Sequence, residues 1–148
     1  MQTIASKQDS AELPARLRLS IARMARRMRQ EAGDELSPSM TAALATIERH
    51  GPLAPSRLAE LERIKRPTVT RVLQRLEEEG LVARSADPTD RRSAVVCVTR
   101  EGTALLKKLR SRKNAYLAKR LRELPDEDIQ ALERAAGVLE SLLDGERR

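Results

Sequence analysis

Between Lys65 and Gly80 the apolar residues Val69, Val72, Leu73 and Leu76 recur in three- and four-residue steps, the stripe of a single helix face. At about 100° per residue the opposite face carries Pro67, Thr70, Arg71 and Gln74, with Thr68 and Arg75 on its flanks. Pro67 falls in the first turn, where its missing N–H costs nothing. Gly80 stops the helix, because a left-handed terminal residue is cheapest without a Cβ. Beyond it the pattern changes. Leu81–Arg84 and Ala94–Thr99 read as two short strands, and the turn formers of Asp87-Pro88-Thr89-Asp90-Arg91-Arg92-Ser93 lie between them. The expected unit is a polar-faced helix followed by a hairpin with a positive tip.

The flanks follow the same logic. Residues 1–11 carry no period and are expected to be a flexible tail. Leu13, Leu17, Ile21, Met24 and Met28 then mark a long amphipathic helix from about Glu12 to Ala32. Gly33–Leu36 breaks it, and Ser37-Pro38 restarts the chain as N-cap and first helical residue of a second helix built on Met40, Ala43, Leu44 and Ile47. That helix ends near His50-Gly51. Leu53 is placed for a brief pairing with the hairpin. Pro55 opens a short third helix (Leu58, Ala59, Leu61) ending near Glu62, and Arg63-Ile64 turns into the polar-faced helix, with Ile64 as the plug between the two. After the hairpin, Thr99 caps a fifth helix from Arg100, with Leu105, Leu106, Leu109, Tyr116, Leu117 and Leu121 on its apolar side. Leu124-Pro125 interrupts. Asp126, Glu127 and Asp128 open a last helix, where the dipole favours acids; Ile129, Leu132, Ala136, Leu139 and Leu143 follow the period of a helix–helix seam. With Leu13 and Leu17, these residues present more apolar surface than a small domain covers, so dimerisation is expected through both terminal regions.

The fold class is therefore mainly α with a small β-hairpin wing. The organisation is a 1–11 tail, a 12–36 dimerisation helix, a 37–99 winged helix-turn-helix and 100–148 dimerisation helices. Composition narrows the partner. The 148 residues hold no Phe or Trp and one Tyr, so the core must be aliphatic and helix-packed. A net charge of +7 with a pI near 10.3 favours an anionic partner, nucleic acid ahead of a membrane surface. No apolar run approaches the ~20 residues of a membrane span, and the first twelve residues lack a signal peptide's apolar core; the cytoplasm is the expected location. Cys97 is the single cysteine, which rules out an internal disulfide and a thiolate metal site. It reads as a small strand residue beside Val95, not as a switch. The single histidine, His50, suits a helix C-terminus and has no partners for metal or triad chemistry. No cofactor, metal or catalytic set is expected, and the chain does not read as an enzyme.

Hydroxyl, guanidinium and amide groups on one helix face are the donors and acceptors that base edges in a major groove require. Two short helices joined by a tight turn, the second presenting those groups, make a helix-turn-helix. The residues assigned to double-stranded DNA are Lys65, Arg66, Pro67, Thr68, Thr70, Arg71, Gln74, Arg75, Arg84, Asp90, Arg91 and Arg92. Lys65, Arg66, Arg75, Arg84 and Arg91 are assigned to phosphates. On the first helix, Arg16, Arg18, Arg23, Arg26, Arg27 and Arg29 read chiefly as a solvated face, a few of them placed to approach the phosphate backbone or an anionic effector. The competing reading is a winged-helix module for protein–protein assembly that reads no sequence.

These assignments carry a resemblance. Arg66-Pro67-Thr68-Val69-Thr70-Arg71-Val72-Leu73, Leu76-Glu77, Gly80-Leu81-Val82, Asp87-Pro88-Thr89-Asp90-Arg91-Arg92 and Val96-Cys97-Val98-Thr99-Arg100-Glu101-Gly102 resemble the MarR family of winged-helix regulators, over nearly the whole chain. The resemblance implies a homodimeric transcription factor on a pseudopalindromic operator, commonly a repressor. Arg92 would enter a minor groove, Asp90 would brace the wing, and Thr68, Thr70 and Arg71 would reach bases or phosphates. It also implies release by a small ligand or by oxidation. The first helix lacks the cysteine usual in the family's oxidant sensors, and the usual ligand cleft could draw on only one aromatic, Tyr116, with Arg16 and Arg23 as candidates to fix a carboxylate. A small anionic or apolar effector is left open.

Overall fold

The computed structural model describes residues 7–33 and 35–145, with side-chain environments from residue 12. Its elements run α1 (Lys7–Ala32), α2 (Pro38–His50), α3 (Pro55–Glu62), α4 (Arg66–Glu78), β1 (Val82–Ala86), β2 (Ala94–Val98), α5 (Arg100–Leu121) and α6 (Asp126–Gly145). The chain forms two compact units that divide after Lys113, within α5.

One expected boundary is corrected. The tail assigned to residues 1–11 is helical from Lys7, so α1 starts well before Glu12 and Pro14 lies inside it. Residues 7–11 carry no apolar period to mark the start. Residues 1–6 of that tail lie outside the described residues.

The first unit has one aliphatic core. Leu44, Ile47, Leu58, Leu73, Leu76 and Val96 are fully buried, and α5 contributes Leu106 and Leu109. Ser37 caps α2, its hydroxyl accepting the Met40 N–H at 3.2 Å, with Pro38 as first helical residue. The α3–α4 turn lacks a glycine because Arg63 itself takes the left-handed conformation (φ 54°, ψ 43°). Its N–H, with that of Ile64, satisfies the last carbonyls of α3, and Ile64 packs half-buried against the core. Gly80 (φ 74°) ends α4 in the same manner, its N–H bonded to the Glu77 carbonyl and that of Leu81 to Leu76.

The two strands pair antiparallel, Val82 opposite Val98 and Ala86 opposite Ala94. Leu53 adds a bridge to Val96, with both N–H···O bonds made, at 3.0 and 2.9 Å. β2 is covered on both faces, since Val95 is buried as well as Val96. Cys97 is half-buried, its thiol directed at the Ala83 carbonyl 3.6 Å away. Thr99 closes the hairpin: its hydroxyl donates to the Gly80 carbonyl at 2.6 Å and accepts the Gly102 N–H at 3.1 Å, so the wing's end and the start of α5 share one clip.

The long helices contribute little to this core. Among the described residues α1 buries only Ala32, while Leu13, Leu17, Leu19, Ile21 and Met24 are each at least two-fifths exposed. In the second unit α6 buries no residue. Leu132 and Leu143 are exposed, as are Val138 and Leu142, while Ile129 and Leu139 are half-buried. Ala136 is exposed too.

Candidate nucleic-acid interface

The stripe of α4 is buried as its spacing requires: Val69, Val72, Leu73 and Leu76 all lie in the core. That fixes the opposite face outward. Arg66, Pro67, Thr70, Arg71, Gln74 and Arg75 are exposed, as is Lys65 at the N-cap, while Thr68 is half-buried. The Thr70 hydroxyl donates to the Arg66 carbonyl at 3.1 Å, leaving its oxygen as an acceptor toward a ligand. Of the assigned residues, all of these but Pro67 bring hydrogen-bonding side chains to this surface of α4.

Two concavities border this surface. On the side of Arg66 and Thr70, a groove of about 330 Å³ is closed by Ala54, Pro55 and Ser56 of the α3 start and by Ser93 and Ala94 at the wing base. On the side of Arg71, Arg75 and Glu79, a cleft of about 860 Å³ is walled by the last turns of α1 and the first turn of α2, bringing in Arg26 and Arg29. Arg16 and Arg23 line neither. They are exposed on α1, and Tyr116 is half-buried in the second unit.

The wing tip is held by two carboxylates in succession. Asp87 accepts the Thr89 N–H and hydroxyl at 2.9 and 2.8 Å, and these two bonds hold its carboxyl below the ordinary aspartate range, hence charged. Asp90 accepts the Arg92 N–H at 3.0 Å on one oxygen and the Ser93 hydroxyl at 3.1 Å on the other. Each is a short polar side chain folding back onto its own turn. The main chain of Arg92 is thereby fixed while the side chains of Arg91 and Arg92 stand exposed. Arg84 is different from its neighbours. Its guanidinium pairs with Glu77 near the end of α4, so its charge is compensated and it ties strand to helix.

Glu77 and the Asp87–Thr89 pair lie outside the residues assigned to DNA from the sequence, and Arg26 and Arg29 are the two of the first-helix arginines that line the cleft. The Asp87–Thr89 pair carries a signal, since Asp followed two residues later by Thr is the pattern of an Asx turn. The others depend on elements far apart in the chain.

A short helix burying one face, a second helix exposing a polar one, and a hairpin with a braced basic tip define a winged helix-turn-helix regulator. The chain belongs to the MarR family, whose sequence pattern matches residues 36–94. It is 33% identical over 137 residues to an HTH-type transcriptional regulator of Mycobacterium tuberculosis, covering 92% of this chain and 96% of that one. It is 31% identical over 94 residues to the transcriptional repressor MdtR of Bacillus subtilis, covering 64% and 61%. Among solved structures, a putative transcriptional regulator of Pseudomonas aeruginosa superposes with a TM-score of 0.78 at 33% identity, over 94% of this chain and 97% of that one. The protein is a DNA-binding transcriptional regulator of this family. No helix of the described residues is long and apolar enough to cross a membrane.

Proposed function

We propose that the protein binds a pseudopalindromic operator as a homodimer and represses transcription from it. The observation that carries this reading is the exposed face of α4 standing beside a wing tip whose Arg92 main chain is pinned by Asp90. α4 lies in the major groove, where Thr68, Thr70, Arg71 and Gln74 meet base edges around Pro67, and Arg92 enters the flanking minor groove. Lys65, Arg66, Arg75 and Arg91 neutralise phosphates, with Arg84 acting through Glu77 to hold the wing against α4. The exposed apolar residues of α1 and α6, including Leu13, Leu17, Leu132 and Leu143, are covered by a second copy. Two-fold symmetry then sets the half-sites about one helical turn, roughly 10 base pairs, apart. Repression is favoured by the likeness to MdtR, and release by a small effector completes the reading. Its place is the cytoplasm, with the DNA it controls.

The experiment is a gel-shift titration of purified protein on the DNA flanking its own coding region against an unrelated fragment, with sedimentation to give the mass. The expected result is a dimer that prefers one inverted repeat, and an Arg71→Ala variant that loses about 1–3 kcal/mol of discrimination at a single position. Equal affinity for every fragment would reject sequence reading and leave the assembly module standing.

A further inference from the structure

With side chains an α-helix is about 10–12 Å across, close to the ~12 Å width of a B-DNA major groove. A helix that enters the groove therefore has a sugar–phosphate strand against each flank. α4 has a concavity on each of its flanks, and the larger one is basic on its far wall.

That wall belongs to α1. Arg26, exposed, and Arg29, half-buried, line the 860 Å³ cleft together with Arg71 and Arg75 of α4 and Ser39 in the first turn of α2. None of the four arginines forms an ion pair among the described residues. Their neighbour Arg27, which does not line the cleft, is paired with Glu31 at 3.2 Å. Of the two acids on the cleft wall, Glu35 is engaged by Lys108 at 2.9 Å and Arg112 at 3.3 Å, which leaves it little to offer the arginines. The start of α2 adds the positive end of a helix dipole. Glu79, the other acid, forms no ion pair among the described residues, so four guanidinium groups share one hollow with a single available carboxylate and the lining is net positive, which favours entry of an anion.

We propose that this cleft is a backbone clamp, in which Arg26 and Arg29 of α1, with Arg75 of α4, hold phosphates of the DNA strand running along that flank. The footprint on DNA thus extends beyond the winged helix-turn-helix onto the helix otherwise given to dimerisation. A DNA strand suits the cleft better than a free anion, because Arg71 and Arg75 belong both to the cleft and to the face that meets the groove. The inference rests on the DNA-binding reading above and adds to it two residues and a strand path.

The test compares wild type, Arg26→Ala/Arg29→Ala and Arg26→Lys/Arg29→Lys, with Arg18→Ala as an exposed α1 arginine outside the cleft. Affinities for a random-sequence duplex and for the best-bound fragment are measured from roughly 50 to 200 mM salt, with melting temperature and sedimentation confirming fold and mass. The slope of log affinity against log salt falls by about 0.9 for each phosphate that is no longer neutralised. Each alanine frees one phosphate per protomer, so the wild type's advantage shrinks about three- to fourfold per freed phosphate across that salt range. The weakening should be equal on both duplexes, absent in Arg18→Ala, and largely restored by lysine. A double alanine variant with the wild-type slope overturns the inference. So does one that keeps the DNA slope but no longer binds inorganic phosphate, which would make the cleft a small-anion site. A wild type that binds neither duplex instead overturns the DNA-binding reading itself.

Discussion

Gly102 sits in the first turn of α5, buried, where a Cβ would overlap the carbonyl oxygen of Leu81 and come within 2.8 Å of Val98 Cγ2 and 3.2 Å of the Leu81 carbonyl carbon. Leu81 cannot step aside cheaply. Its carbonyl accepts the Thr99 N–H at 3.0 Å, its own N–H is bonded to the Leu76 carbonyl at 2.9 Å, and its side chain is in the core. Relief therefore shifts either α5 or the helix-to-wing junction. Overpacking of this kind costs about 1–3 kcal/mol, and a strained hydrogen bond adds about 1 kcal/mol. Alanine's better helix propensity returns up to about 1 kcal/mol. The net expectation for Gly102→Ala is a loss of about 1–3 kcal/mol, or roughly 2–12 °C in melting temperature for a chain of this size. Gly137 supplies the contrast. It is a mid-helix glycine of α6, exposed, with nothing within 4 Å of an added Cβ. Gly137→Ala should gain about 0.4–1 kcal/mol and raise the melting temperature by roughly 1–4 °C. Calorimetry of both variants at one protein concentration, since association shifts the transition, checks the pair. A Gly102→Ala protein that melts at or above wild type would refute the packing argument at this clip.

Three further outcomes rest on particular side chains. Arg63→Gly removes a left-handed arginine whose strain is about 1–2 kcal/mol; after glycine's entropy cost of about 0.5–1 kcal/mol, urea unfolding should show a net gain of roughly 0.5–1 kcal/mol. Asp90→Ala frees the Arg92 main chain, whose reordering costs about 1–2 kcal/mol. DNA affinity should fall roughly five- to thirtyfold by fluorescence anisotropy while the melting temperature stays put, and a fall in melting temperature of equal size would make Asp90 merely structural. Glu35 is held below the ordinary glutamate range by the Lys108 hydrogen bond first, then by the charges of Lys108 and Arg112. A depressed carboxyl stabilises the fold above its unfolded pKa and loses that contribution as pH falls through the folded value. Urea midpoints from about pH 6 to pH 3 should therefore drop less steeply for Glu35→Gln than for wild type; identical acid limbs would remove Glu35 from the balance.

What is legible in the chain is local chemistry. Gly80, Ser37-Pro38, Thr99 and the Asp87–Ser93 run announce their turns and caps within a few residues, so α2, α3, α4 and the hairpin fall close to where the pattern puts them. Arg63 shows the limit of that route: its left-handed turn carries no glycine, so nothing in the residue type marks it. From the sequence Arg84 is assigned to a phosphate. The structure gives it Glu77, seven residues earlier across a helix end, where no single period links the two. Arg26 and Arg29 are named in the sequence only as two of six first-helix arginines, with nothing to single them out. The helical period tells which side of α1 they occupy, yet the cleft that selects them is lined by residues of α2 and α4 as well, far along the chain. α6 sharpens the point from the other direction. Stepping by three and four residues selects Leu132, Ala136 and Leu143, whereas Val138 and Leu142 are as exposed as Leu143 and widen the strip beyond a narrow seam. Periodicity finds the residues that need cover. Under the dimer proposed above, the width of the strip calls for a partner surface broader than one opposing ridge.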